Sequence, residues 1–330
     1  MSNKIKRADF NPGPGMRGAH AQSILASAQP RIFITRRRAA RYRSSATDIL
    51  IDCGDGVRLL GRYNEPDIES NGRLAVLIHG WEGSSDSVYN LSLGLRLRAE
   101  GYATLRLNLR DHGDSHHLNE ELFHSCRLPE VVGAFRWINR NYPHLRVSII
   151  GFSLGGNFAL RVAAQAGEAG IELERVVAIC PVLDPRQTMK ALEARNLYEK
   201  YFIRKWRRSL EKKKIAFPHT YDFHNLTRFV NLFEMTDYFV TRYTDYADIE
   251  TYLRGYTITG DRLARVQVPA TLLLADDDPV IPIHGLQGMT MSDAVDVYRS
   301  AVGGHCGFLQ DLTLKSWLDE FVLKQLQLPA

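Results

Sequence analysis

The chain has 330 residues, 45% hydrophobic and 24% charged, which is enough apolar material for a full core under an ordinary polar surface. No apolar run reaches the ~18 residues that span a bilayer, and no apolar stretch follows the basic N-terminus as a secretory signal requires. The net charge of +5 is uneven: residues 1–43 carry +9 and the rest −4, which suits either a phosphate-bearing surface or a basic arm wrapping an acidic body.

Residues 1–46 contain the breakers Pro12-Gly13-Pro14-Gly15 and little periodicity, so a basic, irregular N-terminal arm with one short helix is expected. Next, 48–53 and 57–63 flank Gly54-Asp55-Gly56, the pattern of an antiparallel hairpin. Short apolar runs at 74–78, 104–107, 147–150, 176–179, 271–274 and 295–298 read as further strands. Helical patterns at 89–99, 129–141, 155–164 and 312–327 lie between or after them. This alternation predicts an α/β fold: a mostly parallel eight-stranded sheet with helices on both faces. The rhythm fails over 184–260, which is too long for a loop and predicts a helical lid or cap inserted after the sixth strand. The core is thereby divided into 47–183 and 261–330.

Chemistry enters at Gly151-Phe152-Ser153-Leu154-Gly155, a G-x-S-x-G with a strand before it and a helix after it. Such an elbow strains the serine backbone and presents Ser153 at the start of a helix, where developing negative charge is favoured. A serine hydroxyl needs a base, and the base needs an orienting acid. In this fold they follow the serine as acid and then histidine. Asp276-Asp277-Asp278-Pro279-Val280-Ile281-Pro282 follows a strand, and its acid-x-apolar-apolar-Pro pattern selects Asp278 over its rival Asp277. Gly303-Gly304-His305-Cys306-Gly307-Phe308 follows the last strand, and its glycines give His305 the freedom to reach both partners. Cys306 sits on no elbow and reads as packing. The backbone N–H groups of Trp81 and Leu154 are the expected oxyanion donors, with His79 buttressing the Trp81 loop.

These residues, with His79-Gly80-Trp81-Glu82-Gly83-Ser84-Ser85 and Asn108-Leu109-Arg110-Asp111-His112-Gly113-Asp114-Ser115, resemble the α/β-hydrolase superfamily and its YheT-like branch. Gly18-Ala19-His20-Ala21-Gln22-Ser23-Ile24 also resembles the N-terminal segment of that branch. The resemblance implies a serine hydrolase that cleaves carboxylic esters through an acyl-enzyme, with Ser153, Asp278 and His305 as its triad. Some relatives act on medium-chain esters or phospholipids. Where many members carry Arg-Gly-Cys-Gly, this chain has Arg110-Asp111-His112-Gly113, so the reaction class transfers and the substrate preference does not.

A small or medium-chain acyl ester is the expected substrate. The alternatives are a peripheral esterase of membrane lipids and a scaffold that binds an apolar ligand without turnover. Residues 198–215 place Tyr198, Phe202, Trp206 and Leu210 on one stripe between basic residues. That pattern suits packing on the core, a lid over an acyl pocket, or weak contact with a membrane surface. His112, His116, His117 and His124 match no compact metal motif and read as a solvated or turn-forming loop. Neither a dinucleotide fingerprint nor a Walker sequence occurs, and no nucleic-acid motif is present, so no metal, cofactor or nucleic acid is expected. Cys53, Cys126, Cys180 and Cys306 form no C-x-x-C pair, which predicts free thiols in a reducing compartment, the cytoplasm.

Overall fold

All eight strand-like runs of the sequence become neighbours in one sheet of the computed structural model, which describes residues 5–223 and 226–329. Residues 1–4 of the expected basic arm and residues 224–225 of the expected insertion lie outside the described residues.

The arm is more ordered than its composition predicts. It forms β1 (Lys6–Arg7), α1 (Ala19–Leu25), α2 (Gln29–Arg38) and α3 (Ala40–Ser44). Met16, Ala39 and Tyr42 are fully buried, and the Tyr42 hydroxyl lies 2.9 Å from that of Thr104. The expectation of an irregular arm failed because these helices are short and take their apolar contacts from the core, not from a face of their own.

The hairpin is β2 (Thr47–Gly54) and β3 (Val57–Asn64). After it come β4 (Arg73–Ile78), α4 (Val88–Arg98), β5 (Ala103–Asn108), α5 (Leu128–Asn141), β6 (Arg146–Phe152), α6 (Leu154–Ala169) and β7 (Arg175–Ile179). The insertion supplies α7 (Pro185–Glu193), α8 (Asn196–Ala216), α9 (Leu232–Tyr243) and α10 (Ile249–Gly255). Three of these helices start on polar caps: Asp184, Asn231 and Asp248 accept from backbone N–H groups in the first turns of α7, α9 and α10. The chain closes with β8 (Ala270–Ala275), β9 (Val295–Ser300) and α11 (Leu318–Gln327). The last helix starts later than 312, because the Leu309–Ser316 bridge turns the chain back on itself first.

The sheet has nine strands in the order β1-β9-β8-β7-β6-β4-β5-β3-β2. The ninth is β1, whose two residues pair in parallel with β9. Only β2–β3 and β3–β5 are antiparallel. Along β4, Leu74, Val76 and Ile78 pack on one face with α5 and α6, while Ala75 and Leu77 pack on the other with α4 and α11. A strand covered on both faces must be apolar throughout, which is why these runs showed no alternation. The parallel strands β4, β6, β7 and β8 end on a common side, and the loops leaving those ends carry the site.

Candidate active site

Ser153 joins β6 to α6 with φ 54° and ψ −116°, a left-handed conformation that a side-chain-bearing residue rarely adopts. The turn can close because its flanks are glycine. A Cβ on Gly155 would lie 2.4 Å from the Ile78 carbonyl oxygen, and one on Gly151 would lie 2.2 Å from that of Gly155. The Ser153 N–H donates to Ile179 O of β7 at 2.9 Å, tying the elbow to the neighbouring strand.

His305, on the loop after β9, bridges the other two residues. Its Nε2 lies 2.9 Å from Ser153 Oγ and its Nδ1 lies 2.9 Å from Asp278 Oδ2. Asp278 follows β8, and its second oxygen accepts from the N–H groups of Val280 and Ile281 at 2.8 and 3.0 Å. The carboxylate is thus held by three donors in an almost fully buried position. Burial alone pulls the His305 imidazole down, but the charge of Asp278, with Cys306 and the Asp278 hydrogen bond adding to it, raises it to about 9. The neighbouring acids have other partners. Asp277 accepts from the Gly304 N–H at 2.9 Å, and Asp276 pairs with Arg299 at 2.8 Å.

The two expected oxyanion donors flank the serine. Leu154 is the first residue of α6, and Trp81 lies in the loop after β4. Gly80 and Glu82, on either side of Trp81, donate their N–H groups to the Tyr89 hydroxyl and to His112 Nε2. Among the described residues the Trp81 and Leu154 N–H groups have no acceptor. His79 is fully buried and holds this loop: its Nε2 accepts from the Leu109 N–H at 3.1 Å while Nδ1 faces Gly80 O at 2.7 Å.

Several supporting residues escaped the sequence reading. The Ser23 hydroxyl on α1 accepts from the His305 N–H at 2.8 Å. Gln22 donates to Leu309 O at 2.9 Å and accepts from Leu309 N at 2.7 Å. The N-terminal segment therefore clamps the loop that carries His305. Its one signal in the sequence was the resemblance of residues 18–24, since no spacing rule links position 23 to position 305.

The segment carrying His112, His116 and His117 forms turns, one of its two expected readings, but it is not solvated throughout. His112 and His116 are buried rather than solvated, because α8 lies over them. His116 Nε2 meets the Ser209 hydroxyl at 2.9 Å, and Lys213 Nζ meets Asp111 Oδ1 at 2.8 Å.

A pocket of about 800 Å3, the space at its open mouth included, lies beside Ser153 and Leu154. Trp81, Phe202 and Trp206 form one wall, the Phe202 ring stacked on Trp81 at 5.2 Å and Trp206 edge-on to Trp81 at 5.5 Å. Val182, Leu192 and Leu232 add further apolar surface. Behind the serine, donor atoms of Cys180, Cys306 and His305 lie within 4.8 Å of one another. Both ring nitrogens of His305 are already engaged, so a metal bound there would compete with the relay.

The pattern of the Alpha/beta hydrolase family matches residues 75–314. The chain belongs to that family. It is YheT-like: it is 25% identical over 322 residues to the Escherichia coli (strain K12) protein named "Putative esterase YheT", covering 94% of this chain and 91% of that one. Monoacylglycerol lipase ABHD2 of Mus musculus is 25% identical over 223 residues, covering 59% of this chain and 51% of its own. Among solved structures, the Pyrococcus furiosus esterase Pf2001 has the same fold, with a TM-score of 0.58 at 16% identity, covering 87% of this chain and 94% of that one. The protein is an esterase-like α/β-hydrolase. Among the described residues no helix is long and apolar enough to cross a membrane.

Proposed function

We propose that the protein cleaves carboxylic esters through an acyl-enzyme, with Ser153 as nucleophile, His305 as base and Asp278 as the orienting acid. The observation that carries this reading is the single imidazole within 2.9 Å of both the serine hydroxyl and the carboxylate, beside an apolar pocket. Neutral His305 takes the Ser153 proton as the oxygen attacks the ester carbonyl. The Trp81 and Leu154 N–H groups receive the oxyanion, each worth about 3 kcal/mol in the transition state. His305 then protonates the departing alcohol, and a water deprotonated by the same ring releases the acid. Asp278 stabilises the imidazolium in both halves.

The α7–α10 insertion acts as a lid in this reading, since Phe202, Trp206, Met189 and Leu192 contribute to the pocket wall. The substrate is a small or medium-chain acyl ester. Four free cysteines support the reducing cytoplasm as its compartment. A fluorophosphonate probe tests the chemistry: it labels the protein covalently, and Ser153→Ala abolishes labelling. Undiminished labelling of that variant rules the assignment out.

A second reading, a peripheral esterase of membrane lipids, draws on exposed apolar residues of the insertion. Leu197 is 64% exposed and Val230 73%, on segments tied together by the Glu199 carboxylate accepting from Leu232 N–H at 2.9 Å. Such a patch on a basic insertion suits the interface of an anionic bilayer. Flotation with anionic but not neutral liposomes supports it, and no flotation with either removes it.

A further inference from the structure

A second cavity of about 560 Å3, the space at its mouth included, adjoins the Ser153 pocket. Phe123, His124, Trp206, Thr236 and Tyr252 line both spaces, so these side chains form the partition between them. Among the described residues, only one ring of that partition joins the two sides. Trp206 meets Trp81, which lines only the Ser153 pocket, edge-on at 5.5 Å, and Phe239, which lines only the second cavity, at 5.2 Å. The Phe123 ring packs instead on His112 and Phe158, and the His124 and Tyr252 rings pack on each other and on Tyr246.

The contact with Trp81 ties the indole to the chemistry. A Cβ on Gly80, the residue before Trp81, would lie 3.1 Å from Ser153 Cβ, so the loop that carries Trp81 runs against the serine. Trp206 stands one aromatic ring beyond that loop. An acyl carbonyl held at Ser153 leaves its chain in the pocket whose α8 wall is Phe202 and Trp206. The helix presents Phe202, Trp206 and Leu210 at a spacing of four, on one face. Leu210 therefore lies one turn past the indole, and it lines the second cavity but not the first.

The space behind the indole suits hydrocarbon. Leu122, Leu210, Phe239 and Val240 supply apolar wall. The charged and polar groups at its far end have partners within the protein: Lys213 pairs with Asp111 at 2.8 Å, His112 Nε2 accepts from the Glu82 N–H at 3.1 Å, and the Ser209 hydroxyl donates to Asp111 O at 3.1 Å. Burial raises the Glu82 carboxyl to about 8, so it is largely uncharged at neutral pH. A hydrocarbon tail entering there would strip water from few groups that need it. What stands in its way is the bulk of one side chain.

We propose that Trp206 sets the acyl-chain limit: its indole ends the pocket for a medium-length chain and closes off the second cavity, which a longer chain would occupy. This rests on the hydrolase reading above and names the residue that bounds its substrate. The test measures kcat/KM for p-nitrophenyl octanoate and dodecanoate, both below micelle-forming concentrations. The unaltered protein is expected to favour octanoate by about tenfold, and Trp206→Ala to raise the dodecanoate-to-octanoate ratio by about tenfold or more. Leu210→Phe fills the second cavity. It is expected to leave the ratio of the unaltered protein unchanged and to take back most of the gain when added to Trp206→Ala. Using ratios separates chain recognition from any loss of folded protein. Dodecanoate matching octanoate in the unaltered protein overturns the proposal but leaves the hydrolase reading intact. So does a ratio that Trp206→Ala does not move, or a gain that Leu210→Phe does not reduce. Absence of turnover on both esters, with no fluorophosphonate labelling, overturns both.

Discussion

Lys213 on α8 and Asp111 on the loop after β5 form an ion pair at 2.8 Å whose side chains are only 1% and 7% exposed. Lys213 also donates to Glu121 O at 3.1 Å, and Tyr221 donates to Glu120 O at 2.9 Å. The insertion is therefore pinned to the core about two helical turns along α8 from Trp206, on the same helix face. Burial pushes the Asp111 carboxyl up and the Lys213 ammonium down, while each partner opposes that displacement. Removing one member strands the other. Lys213→Met is expected to cost about 3–5 kcal/mol in urea unfolding, and adding Asp111→Leu is expected to recover much of it. A double variant no more stable than the single one would show that the pair itself is not the source.

Asp278 and Asp277 are adjacent, but only Asp278 touches His305. Asp278→Asn keeps the shape and presents an amide to the imidazole, favouring the wrong tautomer, so kcat is expected to drop by about 10⁴. Asp277→Asn loosens the Gly304 contact alone and is expected to cost less than about tenfold. Steady-state kinetics on one short-chain ester decide between them, and equal losses would contradict the assignment.

His305 must be neutral to act as a base, yet Asp278 holds its imidazole at about 9 against the downward pull of burial. Ester hydrolysis is accordingly expected to rise with pH from neutrality and level off near that value. Asp278→Asn should move the rising limb to lower pH. The sign for stability is opposite. Because the folded value exceeds the usual 6.5, the stabilising contribution is full below about 6.5 and fades as pH rises through about 9. A pH–rate profile for kcat/KM beside urea midpoints at matched pH checks both, and a rate flat from pH 6 to 10 (roughly the window in which the group titrates) would contradict the first.

Met189 lines the pocket from α7 and is only partly buried, so a larger side chain can enter the space without crushing the core. Met189→Trp is expected to lower the octanoate-to-acetate ratio of kcat/KM by about tenfold, with acetate little affected. A chain-length series of p-nitrophenyl esters reads this directly. An unchanged ratio places the acyl chain elsewhere.

Local pattern was sufficient for most of this architecture. Buried strands such as 74–78 and 147–150 declare themselves as apolar runs because a doubly covered sheet tolerates nothing else. The elbow at Gly151–Gly155 is legible because two close backbone approaches admit only glycine. Asp278 and His305 could be singled out because each follows a strand whose end lies beside the elbow in this fold. Contacts among segments distant along the chain had no such signature. Ser23 beneath His305, Lys213 against Asp111, the burial of His112 and His116, and the ordering of the N-terminal helices all arise from one segment covering another. Residue type and spacing report which chemistry a chain carries and which elements it forms. Which polar groups are desolvated, and which partners then satisfy them, depends on through-space proximity, and only the packed tertiary structure determines that.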